Sequence, residues 1–300
     1  MRNLLIFIAL LAGVQCGPKR VSEELDKSGS LDLQGHRGMR GLFPENSILG
    51  FLKALELGVN TLELDIVMSG DTQLVVSHEP FISSAICRYP GGVQIPKETE
   101  KDLNMYHMTY QEIKAFDCGS LFNNDFLLQE KSRISKPLLI EVLDTIEQVA
   151  TAKGQLIHYN IELKSELALE GVYHPEVAVF CQVAYQAIKD QVDWRRITIQ
   201  SFDFRILRYF NKYYPEVQLA LLIENELSWD LNIDSLGFKP EIYSCNYTLL
   251  SAETISELQE KNMKVIPWTV NDSLDMQQLI HWGVNGLITD YPNIALEILN

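Results

Sequence analysis

The stretch "LELDIVMSGDTQLVVSHEP" (residues 62–80) sets two carboxylates, Glu63 and Asp65, inside an apolar run, and His78 closes a second such run. Strand side chains alternate faces with period two, so Glu63 and Asp65 share one side while Leu62, Leu64 and Ile66 share the other. "LIHYNIELK" (156–164) repeats the pattern, with His158, Asn160, Glu162 and Lys164 opposite Ile157, Tyr159, Ile161 and Leu163. In a closed barrel the outward face packs against helices and must be apolar, so the polar sets point inward. "SGD" (69–71) reads as the turn that returns the chain and delivers His78 toward the same place.

The rest of the chain fits that reading. Apolar runs at 31–36, 61–67, 156–164, 196–202, 217–223, 241–247, 263–270 and 286–290 read as strands. Helical patterns lie near 46–57, 139–152, 175–190, 203–213, 228–235, 251–261, 273–281 and 292–299. Eight strands with about as many helices predict an α/β fold, a TIM-type (β/α)8 barrel. A doubly wound open sheet is the competitor, but it has fewer units, and neither GxGxxG nor GxxxxGK[ST] occurs. Residues 79–137 break the rhythm with prolines, turn signals and a weak helix around 109–116. That length predicts a structured insertion after the second strand, on the loop side of the barrel. The catalytic barrel then spans 31–300.

Three hundred residues at 46% hydrophobic content can bury a core of this size. The formal charge of −15 argues against a nucleic-acid partner, which needs a Lys/Arg surplus. The positive charge for an anionic substrate must then be local, from a metal or a few placed cations. Residues 1–16, "MRNLLIFIALLAGVQC", have the layout of a secretory signal and are too short for a spanning helix. Cys16 resembles a bacterial lipobox cysteine, which implies lipidation and membrane attachment; the alternative is an ordinary export signal with an incidental Cys. Polar residues 17–30 suit a flexible tether. These features predict an exported protein of the bacterial cell envelope. Cys87, Cys118, Cys181 and Cys245 lack CxxC spacing, which argues against a thiolate metal site. A Cys87–Cys118 disulfide is one reading, and buried free thiols are the favoured one.

Three carboxylates converging in a low-dielectric interior need compensation. For Glu63, Asp65 and Glu162 a single divalent cation is the natural partner, and all-oxygen ligands select Ca²⁺ or Mg²⁺. A core network of salt bridges is the competing account. His36 ends the first strand in "GHRG", and with His78 it suits a general acid–base pair. Arg37 and Lys164 supply the local positive charge, and beside a hard metal they suggest a phosphate.

"GHRG", "PENS", "ELD", "VVSHE", "IELK", "QSF", "WTVN" and "GLITDYP", in this order from about residue 33 to 294, resemble the glycerophosphodiester phosphodiesterase family. The resemblance implies a metal-dependent barrel enzyme that hydrolyses glycerophosphodiesters to an alcohol and glycerol 3-phosphate. It implies His36 and His78 as the catalytic pair, with Glu63, Asp65 and Glu162 on the metal. Arg37 and Lys164 match phosphate-facing positions, and Trp268 matches an aromatic lining the site. Glu45, Asn46, Glu79 and Gln200 match supporting positions. Where the family commonly reads His-Asp, this chain has Glu79 after His78, one methylene longer. The insertion resembles that of bacterial envelope members. The expected route is attack by the glycerol 2-hydroxyl on phosphorus through a cyclic phosphate. Phospholipase D or sphingomyelinase-like cleavage of lyso- or sphingolipids uses the same parts and is the alternative, with a surface binding protein behind it.

Overall fold

Alternating strands and helices wrap into a barrel in the structure, a computed structural model that describes residues 31–299. The expected signal (1–16) and tether (17–30) lie outside the described residues. The chain runs β1 (Asp32–Gly35), α1 (Ile48–Leu57), β2 (Thr61–Met68) and β3 (Leu74–Val76). After the insertion, with its short α2 (Tyr110–Lys114), come α3 (Leu139–Lys153), β4 (His158–Leu163), α4 (Val177–Ile188) and β5 (Ile197–Ser201). Then follow α5 (Phe204–Tyr213), β6 (Gln218–Ile223), α6 (Trp229–Leu236), β7 (Ile242–Cys245) and α7 (Ala252–Glu260). The series ends with β8 (Lys264–Val265), α8 (Ser273–His281), β9 (Gly286–Thr289) and α9 (Pro292–Leu299). No described helix is long and apolar enough to cross a membrane.

Eight strands pair in parallel in the order β8-β7-β6-β5-β4-β2-β1-β9, and β3 returns antiparallel on β2. Backbone bonds from Asn285 N to Val265 O (2.9 Å), Ile288 N to Pro267 O (3.0 Å) and Val270 N to Ile288 O (3.0 Å) join β9 to the β8 segment. This is the TIM-type barrel. The seventh stave, β8, is shorter than the expected 263–270, because Pro267 has no N–H to offer a ladder. Its course persists through Ile266 N to Tyr243 O (3.2 Å) and Trp268 N to Cys245 O (3.1 Å).

Period-two alternation decides which side chains reach the interior. Leu62, Leu64 and Ile66 of β2 and Tyr159, Ile161 and Leu163 of β4 belong to the large core that includes helix residues such as Phe51, Leu143 and Phe180. Fully burying a Leu or Ile contributes about 1.5–3 kcal/mol, so the outer face of β2 offsets the turning of Glu63 and Asp65 inward. Inside, Ala220, Ile242, Ile266 and Ile288 form an apolar layer with Trp268. Beside it runs a polar chain in which Asn160 Nδ2 donates to Gln34 Oε1 (2.8 Å) and Gln200 Oε1 (2.9 Å).

The insertion follows the β2–β3 hairpin and has its own core of Val67, Val75, Ile82, Cys87, Ile95, Met105, Ile113, Phe116 and Cys118. A capping box at Thr109 and Glu112 starts α2. Here the sequence reading needs correction, because Cys87 and Cys118 form a disulfide instead of remaining free. Arg88 and Asp117 exchange backbone bonds (2.7 and 3.2 Å), which sets the flanking cysteines opposite each other, a pairing that sequence spacing does not reveal. Cys181 and Cys245 are buried free thiols, as expected. Closing a loop of separation 31 should stabilise the chain by about 3–4 kcal/mol on the chain-entropy account. Urea titration with and without reductant tests this: the midpoint should fall on reduction, and an unchanged midpoint would remove the disulfide's structural role.

Candidate active site

The C-terminal ends of the strands bring the functional groups together, the end at which TIM-type barrels assemble sites. His36 and Arg37 follow β1 in a turn that needs glycine, since a Cβ on Gly35 would lie 2.0 Å from Gly38 O. Arg37 itself is left-handed (φ 51°), a strained conformation for a residue with a Cβ. That conformation lets the Arg37 N–H donate to Glu63 Oε2 at 2.8 Å. Asn46, also left-handed, gives its N–H to Arg37 O at 2.9 Å and then leads into Ser47, which caps α1 by accepting from Gly50 N.

Glu63, Asp65 and Glu162 are buried, and one carboxylate oxygen from each lies within 4.8 Å of the others. Each carboxylate is held in place by a neighbouring donor. Gln200 Nε2 donates to Glu63 Oε1 (2.8 Å), Asn46 Nδ2 to Asp65 Oδ2 (2.8 Å) and Lys164 Nζ to Glu162 Oε1 (2.8 Å). Burial, then the Asp65 charge, pushes the Glu63 carboxyl well up, and burial also raises Glu162. Burial works against Asp65 too, but His78, Arg37 and Lys164 hold it low. The trio thus carries negative charge that the surrounding protein only partly compensates.

Each histidine is backed by a carboxylate. His36 Nδ1 lies 2.6 Å from Asp290 Oδ1, and His78 Nδ1 lies 2.9 Å from Glu79 Oε1. A carboxylate at Nδ1 fixes the proton there and leaves Nε2 toward the cavity; Nε2 of His36 is 3.9 Å from Glu63 Oε2. Burial holds the His36 imidazole down to about 4, against the pull of Asp290. Asp290 is held low, despite burial, by His36 and by Arg40, whose Nε donates to it at 2.6 Å. Arg37 Nη1 reaches Glu45 Oε1 and Oε2 at 3.3 and 3.2 Å. A cavity of about 420 Å³ is lined by His36, Arg37, His78, Glu162, Lys164 and Trp268. Phe202 packs edge-on to Trp268 at 5.4 Å. A larger cavity of about 630 Å³, near Trp229 and Glu253, contains none of these groups.

The sequence profile of the glycerophosphoryl diester phosphodiesterase family matches residues 36–294. The chain belongs to this family. It is a phosphoric diester hydrolase acting on glycerophosphodiesters. A glycerophosphodiester phosphodiesterase of Caldanaerobacter subterraneus is 31% identical over 268 residues, covering 88% of this chain and 96% of that one. A Silicibacter pomeroyi protein assigned to the glycerophosphoryl diester phosphodiesterases superposes with a TM-score of 0.80 at 28% identity, covering 90% and 93% of the two chains. An Oleispira antarctica phosphodiesterase solved with the product sn-glycerol-3-phosphate shares the fold, with a TM-score of 0.71, 20% identity and coverage of 89% and 96%.

The structure brings every candidate residue of this family member to one end of the barrel. Glu79, the departure from His-Asp, still reaches the histidine before it. Three contributors were not singled out from sequence: Asp290, Arg40 and Asn271, whose Nδ2 donates to Asp290 Oδ2 at 2.7 Å. Asp290 had a legible signal, since it ends the strand candidate "GLITD" at the functional end of the barrel.

Proposed function

We propose that the enzyme releases an alcohol and sn-glycerol 3-phosphate in two steps through a cyclic phosphate, with His36 and His78 exchanging acid and base roles. One observation carries this reading: two carboxylate-backed histidines line one cavity with Arg37, Lys164 and a buried acidic trio. In the first step His36 Nε2 takes the proton of the glycerol 2-hydroxyl, whose oxygen attacks phosphorus. The bond to the leaving alcohol breaks as His78 gives that oxygen a proton. In the second step His78 takes a proton from water, the water oxygen attacks phosphorus, and the bond to O2 breaks as His36 returns its proton. Asp290 stabilises the imidazolium that forms on His36, and Glu79 serves His78 in the same way. Arg37 and Lys164 face the phosphate oxygens.

The donor set fits a divalent cation. Three buried carboxylates offer only hard oxygens, and burial pushes two of them up, the mark of charge in want of a partner. Glu63, Asp65 and Glu162 would hold one Ca²⁺ or Mg²⁺, which when bound supplies Lewis-acid stabilisation of charge on the phosphoryl oxygens. The reading also places the enzyme in the bacterial cell envelope, exported and attached through Cys16. The N-terminal sequence supports this, as does the Cys87–Cys118 disulfide, a bond that persists in oxidising compartments.

A choline release assay, with glycerol 3-phosphate as the co-product from glycerophosphocholine, tests the scheme. Glycerophosphocholine should be cleaved, and its analogue lacking the 2-hydroxyl should react at least about 10²-fold more slowly, the scale of losing base-assisted attack. Equal turnover of the two would mean direct attack by water and would end the cyclic-phosphate route. Lysophosphatidylcholine, run in parallel, separates the lysophospholipid reading from this one.

A further inference from the structure

A second cavity, about 430 Å³, meets the first and shares His78, Glu162, Lys164 and Phe202 with it. The two are arms that join where His78, Glu162 and Lys164 stand. Their chemistry differs. The first arm sets Arg37, Arg40, Gln200 and Glu224, groups that suit the hydroxyls of glycerol, opposite an apolar side of Leu222, Trp268 and Ile288. The second is walled by Pro80, Phe81, Leu169 and Tyr173.

Those walls are built in advance of any ligand. Phe81 pairs with Asn104 of the insertion, and Asn104 Nδ2 also donates to Val172 O at 2.7 Å, bracing the loop that carries Tyr173. Buried His174 ties the same loop through Glu166 N, Glu166 O and Pro175 O. The Phe81 and Tyr173 rings stand edge to face with centroids 6.3 Å apart. Glu79 and Glu166 add negative charge at the wall. Of the two cations there, Lys164 is engaged by Glu162 at 2.8 Å and Lys101 is solvent-exposed.

We propose that the second arm receives the leaving alcohol and selects one ending in a quaternary ammonium, as choline does; this rests on the phosphodiesterase reading above. A polyol such as glycerol would give up water hydrogen bonds here and find an apolar wall in return. A primary ammonium is strongly hydrated and needs acceptors for three protons, and of the two carboxylates at this wall Glu79 is already engaged by His78 at 2.9 Å. A trimethylammonium has no proton to satisfy, spreads its charge over methyl groups and is attracted to aromatic faces. The placement also agrees with the roles of the histidines. His36 lines only the glycerol arm, whereas His78 stands at the junction, within reach of the departing oxygen.

The test compares kcat/KM for glycerophosphocholine, glycerophosphoethanolamine and glycerophosphoglycerol, and measures choline binding by titration calorimetry. The wild type should favour the choline ester by about tenfold or more, the scale of one or two cation–π contacts. The double variant Phe81→Leu, Tyr173→Leu should lose that preference and bind choline about tenfold more weakly, while Tyr173→Phe should keep both. A wild type without choline preference, or a leucine variant that retains it, overturns the proposal. Aromatic-dependent choline binding in an enzyme that splits none of the esters would uphold this site and overturn the reaction. Ester cleavage without choline binding would do the reverse.

Discussion

His36→Ala enzyme is expected to lose about 10²–10⁴-fold in kcat, the range for removing a positioned general base, with KM changed far less. The expectation rests on geometry. Asp290 Oδ1 accepts from Nδ1–H at 2.6 Å, so the Nε2 lone pair is presented to the cavity. Asp290 is held in turn by Arg40 Nε at 2.6 Å and Asn271 Nδ2 at 2.7 Å, which leaves it little freedom to let the ring turn. Asp290→Asn should therefore cost much of the same factor, because the amide can donate to Nδ1, move the proton to Nε2 and blind the base. The double variant His36→Ala, Asp290→Asn should be no worse than His36→Ala alone, since the two act as one unit. Steady-state kinetics on glycerophosphocholine settles the matter. Near-normal turnover of His36→Ala, or additive losses in the double variant, would dismiss the pair as a structural ion pair.

The second large effect is expected from the acidic trio. Thorough chelation of the wild type should abolish turnover, and Ca²⁺ or Mg²⁺ should restore it. A binding readout independent of activity accompanies this. A cation that binds only the folded state should stabilise it by about 2.7 kcal/mol at a hundredfold excess over its Kd, seen as a rise in Tm. Asp65→Asn keeps the shape of the side chain and its contact with Asn46, but removes one charge from a group that Arg37 Nε approaches at 3.4 Å and Lys164 Nζ at 3.9 Å. That variant should lose both the cation-induced rise in Tm and about 10³-fold or more in turnover, since Lewis-acid stabilisation of this kind contributes several kcal/mol. The alternative, in which Arg37 and Lys164 compensate the carboxylates alone, predicts full activity after chelation and no effect of either cation on Tm.

Much of the active centre was legible because strand geometry is local. Alternation over 62–66 and 157–164 needs only neighbouring residues to show that Glu63, Asp65, Glu162 and Lys164 face one way, and a barrel sends that face inward. The partners that tune these groups were less legible. Asp290 meets His36 across 254 residues of sequence, at the seam where β9 lies beside β1. The Cys87–Cys118 disulfide arises from an irregular insertion that has no period to read, and the favoured reading of free thiols failed there. The seventh stave lost its regular ladder at Pro267 although its apolar pattern continued.

The sequence by itself determined the repeating unit, the inward acidic faces and the residue types of a phosphodiester-cleaving site, because each depends on the periodicity of a single strand or on a short contiguous motif. Tertiary structure alone decided that Asp290 backs His36, how the insertion is fastened, and that the catalytic cavity has a second, aromatic arm. Those features depend on contacts between segments distant in sequence, Asp290 with His36 at barrel closure and Cys118 with Cys87 within the insertion, and no local pattern encodes a contact of that range.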